Sequence, residues 1–332
     1  KYFLLGSFAS AIFLFGAALI YGATGHTGFV GIGESIGGGH APVMLVVMGL
    51  AMLVAGLGFK VSAVPFHMWT PDAYEGAPTP TTAFMSVVVK TAAFAVFVRL
   101  LLMGFGDRLS ASPNGWPAIV SGLAAITMVY GNLAAVGQTS VKRMLAYSSI
   151  AHAGYLLLGL AAVAKVPTEA ISAILYYLAA YTVSNALVLG ALIWSGSHGK
   201  EASSYADLAG LGRRHPAVGL AFIVGILSLM GFPPTAGFFG KWYVLSAAVQ
   251  ADMVGLTILA VLSSAVGAFY YLKVLVYLYM KSPEEGAPVA VPMKSSYVVA
   301  ALVLASYFVM KMGLTPARYL DAAIEAASGL MG

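Results

Sequence analysis

Three lysines, Lys60, Lys90 and Lys241, stand in stretches otherwise apolar enough to lie inside a lipid bilayer, and two histidines, His67 and His152, accompany them. A lysine at the centre of a membrane helix costs about 2.5–3.5 kcal/mol on insertion scales. An ammonium group kept there has a chemical use. Burial makes its proton easier to lose, and a nearby carboxylate makes it harder to lose, so a partner that comes and goes can load and release a proton near neutral pH. Lys90, in "SVVVKTAAFAVF", has roughly nine or more span residues on either side, too many for easy snorkelling to the interface at about 1.5 Å per residue. For Lys60 and Lys241, snorkelling from a helix end is the competing reading. Imidazole titrates near neutral pH through two nitrogens, which makes His67 and His152 candidate relays. The alternatives are interfacial packing beside Trp69 for His67 and a helix-to-helix hydrogen bond for His152. Tyr147, Ser148 and Ser149, in "YSSIAHAGY", could hold water along such a path or serve as ordinary packing residues. The chemistry these residue types share is proton transfer.

Positioning such groups takes membrane helices. Of the 332 residues, 60% are hydrophobic and 9% charged, with mean hydropathy +0.89. Soluble domains carry about 25% charged residues, so the composition is that of an integral membrane protein. With roughly 20 apolar residues needed per span, the expected fold is an all-α polytopic membrane protein of about nine transmembrane helices. They fall near 2–22, 43–65, 81–103, 116–135, 144–163, 170–194, 217–246, 253–280 and 296–312. Two spans are interrupted. Pro65 removes a ladder amide and disfavours a helical Val64. "GFPPTAGFFGK", with Pro233, Pro234 and three glycines, predicts a non-helical break over 231–240 that exposes carbonyls toward Lys241. Broken helices in comparable positions of two halves are the sequence pointer to a transport site built from inverted repeats.

With the start of the chain on the cytoplasmic side, that side receives Lys1, Lys142, Arg143, Lys200, Arg213, Arg214, Lys281 and Lys294. The other receives Arg108, Lys165, Lys311 and Arg318. The positive-inside rule then places the C-terminus outside. Lys142 and Arg143 read as interface anchors. Asp72 and Glu75, in "TPDAYEGAPTP", either collect protons or terminate the turn, and a cap is the expected role for Asp72 because Pro71 and Pro78 fix that segment. Arg99 and Lys273 carry no assignment. His26, His40, His198 and His215 fall in expected loops.

Several classes drop out. The chain has no cysteine, which excludes thiolate-ligated iron–sulfur clusters, cysteine zinc sites and disulfides. A net charge of +5 without a basic run does not point to nucleic acid. "GIGESIGGG" misses a dinucleotide fingerprint because Ile36 stands where its last glycine belongs, and it reads as a flexible external loop. The chain opens at Lys1 without methionine, directly before an apolar helix, and an N-terminal part of the natural protein is expected to precede it.

The stretches "GFKVSAVPFHMWTPDAYEGAPTPTTAF", "VVVKTAAFAVFVRLL", "GNLAAVGQTSVKRMLAYSSIAHAGYLLLG" and "GFPPTAGFFGKWYVL" resemble, in order, the subunit N family of bacterial NADH-quinone oxidoreductase, respiratory complex I. The resemblance covers nearly the whole chain. Tyr74-Glu75 stands where relatives among other antiporter-like subunits and multisubunit cation/proton antiporters carry a histidine-containing motif. It implies a fourteen-helix fold with two inverted five-helix repeats, each with a broken helix, of which this chain corresponds to helices 6–14. The whole chain, 1–332, is then one transmembrane domain: 1–105 ends the first repeat, 106–285 is the second, and 286–332 is the C-terminal helix. By motif match, Lys60 is the lysine of the first broken helix, Lys90 the central relay lysine, Lys241 the lysine of the second broken helix, and Lys1 a further family lysine. The glutamate that pairs with the first lysine in this family lies upstream of Lys1. The implied function is proton translocation driven by quinone reduction in other subunits, through Lys60, Lys90, Lys241, His67 and His152. No cofactor or metal is expected in this chain; FMN, iron–sulfur clusters and quinone are implied in partner subunits. Implied partners are other complex I membrane subunits, especially neighbouring antiporter-like ones, and membrane lipids. The implied location is the bacterial plasma (inner) membrane. The rival reading is a cation/proton antiporter subunit without redox coupling.

Overall fold

A computed structural model of the chain describes residues 1–106, 109, 115–196, 203–283 and 295–331; Arg108, His198, Lys200 and Lys294 lie outside the described residues. These residues form a bundle of apolar helices. The long ones are α1 (Tyr2–Thr24), α3 (Val43–Val61), α5 (Thr79–Gly104), α6 (Trp116–Val136), α7 (Val141–Ala162), α8 (Pro167–Trp194), α11 (Val254–Met280) and α12 (Ser296–Leu314). Between and after them lie α2 (Phe29–Gly37), α4 (Thr70–Gly76), α9 (Pro216–Met230), α10 (Ala236–Gln250) and α13 (Pro316–Met331). The eight long helices are each apolar enough to cross a bilayer. The chain is a multi-span membrane protein.

α7 organises the bundle. It has the lowest hydropathy of the eight, 1.4, yet its core window is 94% buried, against 17% for α1 and 22% for α12. A membrane helix can afford polar residues when protein rather than lipid surrounds it. Small residues allow that enclosure. A Cβ on Gly154 would stand 2.6 Å from the Met128 amide nitrogen of α6, and one on Gly131 would stand 2.6 Å from that of Ala151. Such glycines let two helix backbones approach closely. The lipid-facing helices instead expose Phe3, Phe8, Phe15, Val303 and Leu304.

Both expected breaks are present. α3 ends on Ser62, which takes the left-handed conformation (φ 65°). The backbone between α3 and α4 is satisfied locally: the Val64 amide donates to Thr127 Oγ1 (3.0 Å), Trp69 Nε1 to the Phe59 carbonyl (3.0 Å), and Thr70 to Ser62 Oγ (2.7 Å). α9 ends on Gly231 (φ 86°), and α10 starts at Ala236. α9 and α10 have 15 residues each, short of the roughly 20 that span a bilayer. A 114° elbow separates Ala206–Arg214 from Pro216–Met230, so that charged piece does not extend α9.

The second break is half as long as the sequence predicts. Gly237 and Gly240 lie inside α10, with Gly237 against the Ser228 carbonyl and Gly240 against Tyr177. Close approach, and not unusual backbone angles, is why they are glycine. "GIGESIGGG" is likewise not a plain loop. Most of it forms α2, which buries Ile32 and sets Gly33 against the Met103 carbonyl at the end of α5, a contact that offsets the poor helix propensity of glycine. The sequence reading also missed α13, an amphipathic helix that begins on Pro316 and buries Ala323 and Ala327 one turn apart.

Candidate functional site

Lys90 is 2% exposed, and a π-helical turn, Met85–Val89, leads directly into it. Such turns widen a helix locally and are frequent at functional positions. The Lys90 amine donates to both the carbonyl and the hydroxyl of Ser149, each at 2.6 Å, and Tyr181 donates to the same hydroxyl at 2.8 Å. Among the described residues no carboxylate pairs with it.

Three residues along α7, His152 is buried and held at both nitrogens. Nδ1 meets the Tyr177 hydroxyl at 2.8 Å, and Nε2 meets the Tyr271 hydroxyl at 2.9 Å. Tyr271 in turn bonds Ser148, and the Tyr181 ring lies 5.0 Å from the imidazole. Lys241 donates to the Met230 carbonyl at the edge of the second break (2.7 Å) and to Ser264 (2.9 Å). Its amine sits 5.2 Å from the centre of the Tyr155 ring. The Tyr155 hydroxyl is tied to Asn132 (3.1 Å), which also accepts from Tyr270 (2.9 Å). Gly231 is glycine partly because any Cβ there would meet the Lys241 side chain at 2.9 Å.

Ser148, Ser149, His152 and Tyr155 share one face of α7 at helical spacing. That face carries a buried line of hydroxyl and imidazole groups from Lys90 toward Lys241. Each such group can donate and accept, which a hopping proton requires.

The other two sequence-nominated residues stand apart. Lys60, in the last turn of α3, faces a separate cleft of about 370 Å³ lined by Ala9, Ser10, Phe13 and Leu14 of α1 and by Val96. No hydrogen bond or ion pair reaches its amine among the described residues. His67 is buried in the first break with its ring centre 4.6 Å from that of Tyr130, edge to face, and Nδ1 has no partner among the described residues. Neither residue touches the α7 line.

At one end of the bundle four charges meet. Asp72 pairs with Lys1 and with Arg143 (2.9 Å), and Arg143 also bonds Glu75 (2.8 Å). The expected cap at Asp72 is thus an ion pair. α4 starts after Trp69 with no side-chain cap, and cations from α7 and from Lys1 claim the carboxylate instead. The hydrogen bond from Lys1, reinforced by Arg143, holds the Asp72 carboxyl below the usual carboxylate range. A depressed pKa contributes stability above the unfolded value and loses it as pH falls through the folded one, so Asp72 stays ionised at neutral pH. Lys142, expected at the interface, is buried and donates to the Ala77 carbonyl between α4 and α5 (2.7 Å). Lys273 donates to the Gln138 carbonyl (3.2 Å) over the Tyr205 ring, and Arg99 lies over Phe29. Lys165 pairs with Asp252 (3.0 Å).

Sequence reasoning missed Tyr177, Tyr181, Tyr271, Asn132 and Ser264. The signal for the first two was present: tyrosines four apart in "YYLAAY" share a helix face, at the same spacing as Ser148 and His152.

Residues 1–267 match the family model described as "NADH:quinone oxidoreductase/Mrp antiporter, TM". NADH-quinone oxidoreductase subunit N 1 of Sorangium cellulosum is 55% identical over 331 residues, 98% of this chain; the chain spans 65% of that relative's length. A chain of respiratory complex I from Thermus thermophilus, solved with bound Aureothin, is 38% identical with a TM-score of 0.81, over 97% of this chain and 68% of the other. A chain of the Mrp complex from Dietzia sp. has a TM-score of 0.84 at 23% identity, over 99% of this chain and 67% of the other, and shows likeness of fold. An antiporter-like bundle with two interrupted helices, matched in sequence at this level, places the chain: it belongs to the NADH:quinone oxidoreductase/Mrp antiporter transmembrane family, on its NADH-quinone oxidoreductase subunit N branch.

Proposed function

We propose that this chain is a proton-translocating membrane subunit of an NADH-quinone oxidoreductase, coupling quinone reduction in other subunits to proton movement through buried lysines. The observation that carries the reading is the enclosed line Lys90–Ser149, His152–Tyr271 and Lys241–Ser264, set on and around the most buried helix of the bundle. Lys90 and Lys241 are the end stations of that line, and His152 is the exchange point between them. Lys60 and His67 serve a neighbouring segment, with Lys60 turned to the cleft beside α1, where a carboxylate from a further helix would hold its proton. The two breaks, each following a left-handed residue, support the division into repeats over 1–105 and 106–285.

Lys1 and Arg143 meet at one end of the bundle through Asp72, and Lys165 pairs with Asp252 between two other connections. By the positive-inside rule the first end is cytoplasmic and the C-terminus external, in a bacterial inner membrane. Flavin, iron–sulfur clusters and quinone belong to partner subunits, and the apolar outer faces suit neighbouring antiporter-like subunits and lipid. The fold likeness to the Mrp chain favours one other reading, a cation/proton antiporter subunit without redox coupling.

The test is purification of the intact assembly through a tag on the full-length subunit. The redox reading expects flavin and iron–sulfur absorbance, with NADH- and quinone-dependent proton uptake after reconstitution into liposomes. An assembly without redox absorbance that exchanges sodium for protons would establish the antiporter instead.

A further inference from the structure

His152 of α7 is bonded at both ring nitrogens, and its two partners come from two other helices. Nδ1 meets the Tyr177 hydroxyl of α8 at 2.8 Å, and Nε2 meets the Tyr271 hydroxyl of α11 at 2.9 Å. Tyr271 also bonds Ser148, one turn before His152 on α7. All four side chains are buried, and the hydroxyls of Ser148 and Tyr177 have no second hydrogen-bond partner among the described residues. Ser148, Tyr271, His152 and Tyr177 thus form an enclosed chain of three hydrogen bonds. With the imidazole neutral, the chain holds four hydrogens, one on each hydroxyl and one on the ring. Three fill the bonds, and the fourth points out of one end. Only two arrangements put a single hydrogen in every bond. In the first, Ser148 donates to Tyr271, Tyr271 to Nε2, and Nδ1–H to Tyr177, whose own hydrogen points outward. In the second every bond is reversed, and the outward hydrogen is that of Ser148. The two differ in the tautomer of His152. The ends also lie on different sides of α7. Ser148 precedes Ser149, which receives the Lys90 amine. The Tyr177 ring is pressed against Gly240, the residue before Lys241, where an added Cβ would stand 2.6 Å from it.

We propose that Tyr271 and Tyr177 are relay residues, joined through His152 into a two-state proton wire between the Lys90 and Lys241 sides of α7. The inference rests on the proposed proton-translocating function and deepens it by naming the groups that carry the proton across the bundle centre. In the first arrangement, a proton arriving from the Lys90 side binds the Ser148 oxygen. The Ser148 hydrogen passes to the Tyr271 oxygen, and the Tyr271 hydrogen passes to Nε2. Nδ1 gives its proton to the Tyr177 oxygen, and the outward hydrogen of Tyr177 leaves as a proton to water on the Lys241 side. One proton has entered, one has left, and all four groups end neutral in the second arrangement. The wire then conducts only in reverse until His152 exchanges tautomer and the three hydroxyls rotate. Each forward passage needs that reset, so protons cross singly.

The test compares Tyr271→Phe, Tyr177→Phe, their double variant, His152→Gln and Lys90→Met in the full-length protein within the whole complex, reconstituted in liposomes. Each phenylalanine keeps a buried ring and removes one hydroxyl, so assembly and flavin content should be unchanged. Proton uptake per NADH oxidised should fall about fivefold or more in each single variant. The double variant should pump no worse than either single, because one missing link already breaks the wire. His152→Gln keeps one donor and one acceptor for the two hydroxyls but cannot exchange them, so it should also pump poorly. Wild-type pumping in either phenylalanine variant while Lys90→Met is blocked would overturn the wire and leave the proposed function standing. Losses that add in the double variant, with normal pumping in His152→Gln, would reduce the tyrosines to packing and overturn it too. Normal pumping in Lys90→Met would instead remove the function on which the wire rests.

Discussion

Lys90→Met is expected to leave the complex assembled while cutting NADH-driven proton pumping by about tenfold or more, the scale on which loss of a proton-transfer group acts. Methionine matches the lysine stem in length and is compatible with an apolar site. The side chain is enclosed and no carboxylate pairs with it among the described residues, so its removal leaves no buried counter-charge. Ser149 Oγ keeps its bond from Tyr181. What disappears is the one group at this point that can hold a proton as a cation. Lys90→Arg should rescue little, because guanidinium keeps its proton at any accessible pH. Liposome assays reading protons moved per NADH oxidised decide the matter, and unimpaired pumping in the methionine variant would remove Lys90 from the path.

Gly237→Ala should have the largest effect on stability. An added Cβ would lie 1.8 Å from the Ser228 carbonyl oxygen, a backbone atom that cannot swing aside. Relief requires α9 and α10 to separate at the break. That would break the bond from the Gly237 amide to Ser228 Oγ (3.1 Å) and shift the Met230 carbonyl that receives Lys241. Overpacking of this kind costs about 1–3 kcal/mol or more. The control is Gly122→Ala on α6, where nothing lies within 4 Å of the new Cβ; there alanine favours the helix by roughly 0.5–1 kcal/mol. Thermal unfolding of the purified complex should show Gly237→Ala well below wild type and Gly122→Ala at or above it. Equal midpoints would mean that the second break adjusts freely, against the tight packing described here.

The expected spans match the observed helices to within a few residues, because twenty-residue apolar stretches and helix-breaking prolines act locally. The same holds for the two interruptions and for the lysines beside them. The shared face of Ser148, Ser149 and His152 follows from a 3.6-residue repeat and was legible in "YSSIAHAGY". Which groups meet across helices was not legible, since it depends on which helices are neighbours. Glycine contacts between α6 and α7 bury α7 at the centre and bring Tyr177, Tyr181 and Tyr271 around its polar face. The same packing turns Lys60 toward α1 and away from that line, and buries Lys142 at what reads as an interface. Asp72 satisfies every local rule for a cap, yet an ion pair wins because Arg143 arrives from 71 positions away in the chain. Gly237 and Gly240 read as breakers, yet they stay helical; they are glycine because the carbonyl and ring pressed against them leave no room for a side chain. Local chemistry therefore determined the helices and the residues able to carry a proton, while only tertiary packing decided which of those residues stand within reach of one another.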